Sequence, residues 1–84
     1  MIAVRRRRQP LSLGAVRLRK WRDRDGLTQV SAAARIGIDP WYFAKIERGR
    51  RVPGRSVSVA IERASAGAVD VADWDQPSPT RRAG

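Results

Sequence analysis

The chain has 84 residues, no cysteine, no histidine and a net charge of +10, with an isoelectric point of about 11.8. One domain fits this length, and a domain this small is marginally stable alone, so an oligomer is a reasonable expectation. The composition excludes disulfides, thiolate metal sites, the commonest zinc ligand and the commonest general base, and no carboxylate pair or glycine-rich phosphate loop takes their place, so no enzyme, cofactor, metal or small-molecule ligand is expected.

Residues 1–10, "MIAVRRRRQP", lack an amphipathic period and carry four adjacent like charges, Arg5, Arg6, Arg7 and Arg8. They read as a flexible basic arm, either lying along DNA or adding nonspecific affinity. Residues 12–25 read as a first helix: Leu11, Ala15, Leu18 and Trp21 fall on one apolar face, Ser12 can cap the start, and Gly26 ends it. Residues 28–36 form a second helix behind Thr28 as N-cap, favoured by three alanines and broken by Gly37. Asp39-Pro40, an N-cap followed by proline at the first helical position, starts a third helix that runs to about Arg48. "RRVPGR" is a loop, Ser56 starts a fourth helix with Val57, Ala60, Ile61 and Ala64 on one face, and Gly67 ends it. "VDVADW" reads as a last short turn with Asp70 as cap, Asp73 three residues on, and Val69 packed on Trp74 as a staple. Trp74 itself is a core plug or a dimer contact. Residues 76–84, with two prolines and no period, read as a disordered tail. Five short helices with tight connections make an all-α domain over residues 11–75.

Charge is unevenly placed. Residues 1–60 carry 15 basic and 4 acidic side chains, residues 61–84 carry 3 and 4, and 16 of the 18 basic residues are arginine, whose planar fork suits phosphate and guanine. The basic part is the expected contact surface, and the near-neutral C-terminal part is the natural place for a second subunit. No apolar run approaches the roughly 18–20 residues of a membrane span, and "RRRRQPLSLGAV" is too short and broken for a signal peptide. A soluble, cytoplasmic, nucleoid-associated protein is expected.

The sharpest local pattern is helix, short glycine turn, helix over residues 29–48. Ala33 stands at its fifth place, where two helices cross closely, and Gly37 at its ninth, where the turn needs positive φ. Ile36, Ile38, Phe43 and Ile46 are apolar where the core is expected. Together these match a helix-turn-helix, whose second helix enters the major groove. With Thr28-Gln29, Ala33, Gly37 and "IERGRRVP", the stretch "GLTQVSAAARIGIDPWYFAKIERGRRVP" resembles the Cro/CI-type helix-turn-helix family, also called XRE or lambda-repressor-like. "IERASAGAVDVADW" resembles the last helices of its small phage-type members.

The resemblance implies a five-helix bundle that binds operator DNA as a homodimer, with residue roles carried over by position. Gln29 would bond a phosphate and brace the start of the third helix. Pro40, Trp41, Tyr42 and Lys45 would face the bases, with the Tyr42 hydroxyl also on a phosphate. Arg48, Arg50, Arg51 and Arg55 would hold phosphates, and Arg22 and Glu47 would form a buried ion pair between the first and third helices. The bland alternative for that pair is two solvated charges. For Trp41 it is a ring folded against Lys45 or Arg50 as a cation–π cover. Three departures stand out. Proline replaces the usual polar residue at position 40 and removes a base-contacting donor. Ser31 stands where a capping box has glutamate. Ala32 replaces a bulky leucine, so Trp21 and Phe43 are expected to fill the space.

These residues point to a double-stranded-DNA-binding transcriptional regulator, a repressor acting by operator occupancy. One alternative is an antitoxin that binds DNA and a toxin protein. Another is a nonspecific basic protein of RNA or membrane surfaces.

Overall fold

The computed structural model describes residues 11–77, so the arm with Arg5, Arg6, Arg7 and Arg8 and residues 78–84 lie outside it. Four α-helices follow one another: α1, Leu13–Arg24; α2, Gln29–Ile36; α3, Pro40–Glu47; and α4, Arg55–Ala64. A 3-10 helix, Val71–Asp75, closes the domain. The fifth helix is therefore not an α-helix. Its five residues are too few for a stable α-turn array, and the Asp70–Asp73 capping box holds them in the tighter winding. No strand occurs among the described residues, only an isolated bridge between Ser12 and Pro77.

Local chemistry sets the helix starts. The Ser12 hydroxyl accepts from Ala15 N–H at 3.1 Å, and Asp39 Oδ2 accepts from Trp41 N–H at 2.9 Å with Pro40 at the first helical position. Thr28 accepts from Ser31 N–H at 3.0 Å, while Ser31 Oγ accepts in return from Thr28 N–H at 2.9 Å. Serine thus completes the capping box in place of the usual glutamate, because its short hydroxyl reaches the same donor. Gly37, at φ 91°, ends α2 and opens the turn to α3.

α4 departs from expectation at both ends. It starts at Arg55 behind Gly54, with no side-chain cap, so Ser56 is not its N-cap. Ser58 is the serine that matters: its buried hydroxyl donates to Gly54 O at 2.9 Å. The helix ends at Ala64, three residues before Gly67, where Ser65 takes the cap position and its Oγ accepts from Val69 N–H at 3.1 Å.

One core joins these pieces. Ala15, Leu18 and Trp21 of α1 pack with Ala32, Ala33 and Ile36 of α2, Phe43 and Ile46 of α3, Ile61 of α4, and Val69 and Trp74. Ala32, Phe43 and Trp21 are all buried in it, as the exchange of volume between them requires. Leu11 is not part of the α1 face; it precedes the helix and is 38% exposed. Trp74 is a core residue, 6% exposed, with its ring over Gly14, where an added Cβ would stand 2.4 Å from Trp74 Cδ2. That packing brings the C-terminal segment onto α1: Leu13 N–H donates to Gln76 O at 2.8 Å, and Arg17 pairs with buried Asp73 at 3.1 Å. No helix among the described residues is long and apolar enough to cross a membrane.

Candidate functional site

α2, its glycine turn and α3 form one corner of the domain, and α3 presents two sides. Phe43 and Ile46 are fully buried, and Glu47 nearly so. A rotation of about 100° per residue then turns Trp41 and Lys45 away from the core and leaves Tyr42 on the flank. Trp41 is 66% exposed, Pro40 is exposed, and Tyr42 and Lys45 are half-buried. Lys45 Nζ lies 4.4 Å from the Trp41 ring centroid, so the cation covers the indole as a cation–π pair. Trp41 is both outward and stacked on Lys45; Arg50 is not its partner.

α3 is tied to α1 and α2 through the carboxylate at its last position. Glu47 accepts from Arg22 Nε at 2.7 Å, from Arg22 Nη2 at 3.3 Å and from Gln29 Nε2 at 2.7 Å. The remaining Arg22 amino group donates to Leu27 O at 3.1 Å, on the approach to α2. Side-chain exposure is 16% for Arg22 and 4% for Glu47, which makes this a buried pair rather than two solvated charges. The hydrogen bonds that Arg22 donates to Glu47 hold its guanidinium above its ordinary pKa against the opposing effect of burial. Gln29 braces α3, but at the end of that helix and not at its start.

Beyond Glu47 the chain turns tightly. Gly49 N–H donates to Ile46 O at 3.0 Å and Arg50 N–H to Lys45 O at 2.8 Å, the paired closure of a Schellman motif, with Gly49 at φ 79°. This turn fixes the direction in which Arg48, Arg50 and Arg51 leave the end of α3. All three are exposed, as is Arg55 at the first position of α4. None of these four forms a salt bridge to a carboxylate among the described residues. Leu11 seats on Gly49, where an added Cβ would stand 2.6 Å from Leu11 Cδ2. The chain therefore enters the described domain beside this arginine cluster.

The structure brings Pro40, Trp41, Tyr42 and Lys45 onto or beside one outward face, with Arg48, Arg50 and Arg51 following its end and Arg55 opening α4. Gln29 lies at the start of the preceding helix with its amide already engaged. Three features escape a sequence reading. They are the Gln29–Glu47 bond, the seat of Leu11 on Gly49, and Val30, 63% exposed on α2. The first two are long-range contacts with no local signal. Val30 is detectable only as an apolar residue off the Ala32, Ala33 and Ile36 face.

Chemically, the face offers donors, cations and apolar surface. Its nearby carboxylates are used internally, Asp39 as a helix cap and Glu47 in the buried pair. Among the described residues no cluster of three or more acidic, cysteine or histidine side chains could hold a metal. A family model described as a helix-turn-helix domain matches residues 12–74. No match is found among curated proteins.

Proposed function

Because the chain belongs to the helix-turn-helix domain family, we propose that it is a sequence-specific regulator of the Cro/CI type, a repressor that binds double-stranded DNA as a homodimer and acts by occupying its operator. The observation that carries this reading is the outward face of α3. Trp41 and Lys45 project from a helix held by a network of Arg22 and Gln29 on buried Glu47, with exposed Arg48, Arg50 and Arg51 following its C-terminal end and Arg55 at the start of α4. A helix so mounted can enter the major groove, while the arginines and the Tyr42 hydroxyl reach flanking phosphates. Such rigidity serves recognition, since base contacts require side chains held to within a fraction of an ångström.

Gln29 keeps one amide N–H for a phosphate while the other holds Glu47. Leu11, the first described residue, seats beside the arginines that follow α3. In a dimer, two α3 helices would sit in successive major grooves roughly 34 Å apart. Pro40 contributes no donor, so DNA shape carries part of the specificity.

Selection of bound duplexes from a random pool tests this reading. Recovery of a palindrome with half-sites about one helical turn apart supports a dimeric reader. Recovery of unenriched sequence, or preference for RNA or anionic vesicles at about 150 mM salt, contradicts it.

A further inference from the structure

The outward face of α3 has an unusual inventory of reading groups. Pro40 and the Trp41 ring are apolar, Lys45 is a donor without an acceptor, and the Tyr42 hydroxyl sits on the flank. Bidentate reading of adenine needs an amide that donates and accepts together, and the outward face of α3 carries none; Gln29 stands on α2, with one of its two amide N–H groups held by Glu47 at 2.7 Å. Reading the cytosine amino group needs a free carboxylate. Asp39 precedes α3 as its N-cap, with Oδ2 turned back to Trp41 N–H, and Glu47 is buried under Arg22 and Gln29. What remains readable in a major groove is an acceptor edge, richest at guanine O6 and N7, and the C5-methyl group of a pyrimidine.

The two reading groups are also spatially coupled. Lys45 Nζ stacks 4.4 Å from the Trp41 ring centroid, close to the roughly 3.4 Å spacing of stacked bases. A cation and an apolar ring so displaced meet adjoining base pairs rather than distant ones. We propose that the Trp41–Lys45 pair reads a 5-methylpyrimidine adjoining a guanine, the ring against the methyl group and the ammonium against O6 and N7. Thymine supplies that methyl in ordinary DNA, and 5-methylcytosine supplies it in methylated DNA. The protein is then sensitive to cytosine C5 methylation wherever cytosine replaces the thymine. This inference rests on α3 being the helix in the groove.

The test uses the full chain and duplexes recovered by selection from an unmodified random pool. The selected half-site should contain a thymine next to a guanine. Replacing that thymine by uracil removes the methyl and leaves every hydrogen-bonding group, and it should weaken binding about four-fold per half-site, the worth of one buried methyl-sized group. Cytosine at the same place should bind more weakly than 5-methylcytosine by a similar factor, and replacing the adjoining guanine by adenine should weaken binding about ten-fold. In Trp41→Ala the thymine-to-uracil difference should vanish while the guanine preference persists; in Lys45→Ala the reverse should hold. Equal affinity for thymine and uracil duplexes, or selected sites without the thymine–guanine neighbour, overturns the proposal. The reading of α3 as recognition helix fails separately. It falls only if Trp41→Ala and Lys45→Ala both bind the selected duplex as tightly as the parent chain.

Discussion

Glu47→Ala removes the acceptor on which α1, α2 and α3 converge. Arg22 then loses its 2.7 Å and 3.3 Å bonds and keeps only Leu27 O, while Gln29 loses its 2.7 Å bond. Gln29 is half-buried and can turn to water at small cost. Arg22, with a side chain 16% exposed, cannot do so fully. Breaking a buried pair from one side costs about 3–5 kcal/mol, and the residual access of Arg22 to water places this case near 3 kcal/mol. For a domain of this size, about 3 kcal/mol lowers the melting temperature by roughly 12–24 °C. Urea unfolding followed by far-ultraviolet circular dichroism measures the loss.

A double variant, Arg22→Met with Glu47→Met, should recover most of it, since two apolar side chains of similar volume leave no stranded charge. The pH dependence follows from the arginine. Its pKa is raised in the folded state, so its contribution is complete below the ordinary arginine value and is lost only as pH rises through the raised one. The penalty of Glu47→Ala should therefore be no smaller at about pH 9 than at about pH 7. A loss below about 1 kcal/mol, the scale of exposed pairs, would refute the assignment of a buried network.

Three further outcomes are expected. Phe43→Ala, at a fully buried site, should destabilise the domain by about 3–5 kcal/mol in the same unfolding assay; an unchanged melting temperature would remove Phe43 from the shared volume with Trp21 and Ala32. Gly14→Ala should destabilise by about 1–3 kcal/mol, although alanine is favoured over glycine inside a helix by about 1 kcal/mol, because its Cβ would meet Trp74 Cδ2 at 2.4 Å. A stabilised variant would show that the ring does not cover Gly14. Trp41→Ala should leave the melting temperature within a few degrees of the parent, since the residue is 66% exposed, and should weaken binding to a selected duplex.

Most of the secondary structure was legible because short-range chemistry writes it. Ser12, Thr28 and Asp39-Pro40 mark helix starts whatever the rest of the chain does, and Gly37 marks the turn. Trp41, Phe43 and Ile46 could be sorted outward and inward by rotation along α3 alone. Errors arose where a distant partner decided the outcome. Ser58, not Ser56, orders the start of α4 because its hydroxyl turns back to Gly54 O. Leu11 fits the α1 period, yet it belongs to the turn around Gly49. Gly14 looks like a weak point in a helix until the Trp74 ring, 60 residues away in sequence, is placed over it. The candidate site divides the same way. The residue types on its surface were readable, whereas the Gln29–Glu47 bond, and the choice of Lys45 over Arg50 as the cation on the Trp41 ring, needed the fold.

The most direct test of DNA recognition by α3 and its arginine cluster is a salt titration of duplex binding, read by fluorescence anisotropy on one selected and one scrambled duplex. In the proposed dimer, Arg48, Arg50, Arg51 and Arg55 of each protomer would replace counterions. A dimer should then lose affinity with salt at a logarithmic slope of about −7, steeper if the N-terminal arginines also engage. The selected duplex should bind at least about a thousand-fold more tightly than the scrambled one throughout. A flat salt dependence, or equal affinity for the two duplexes, would contradict the account.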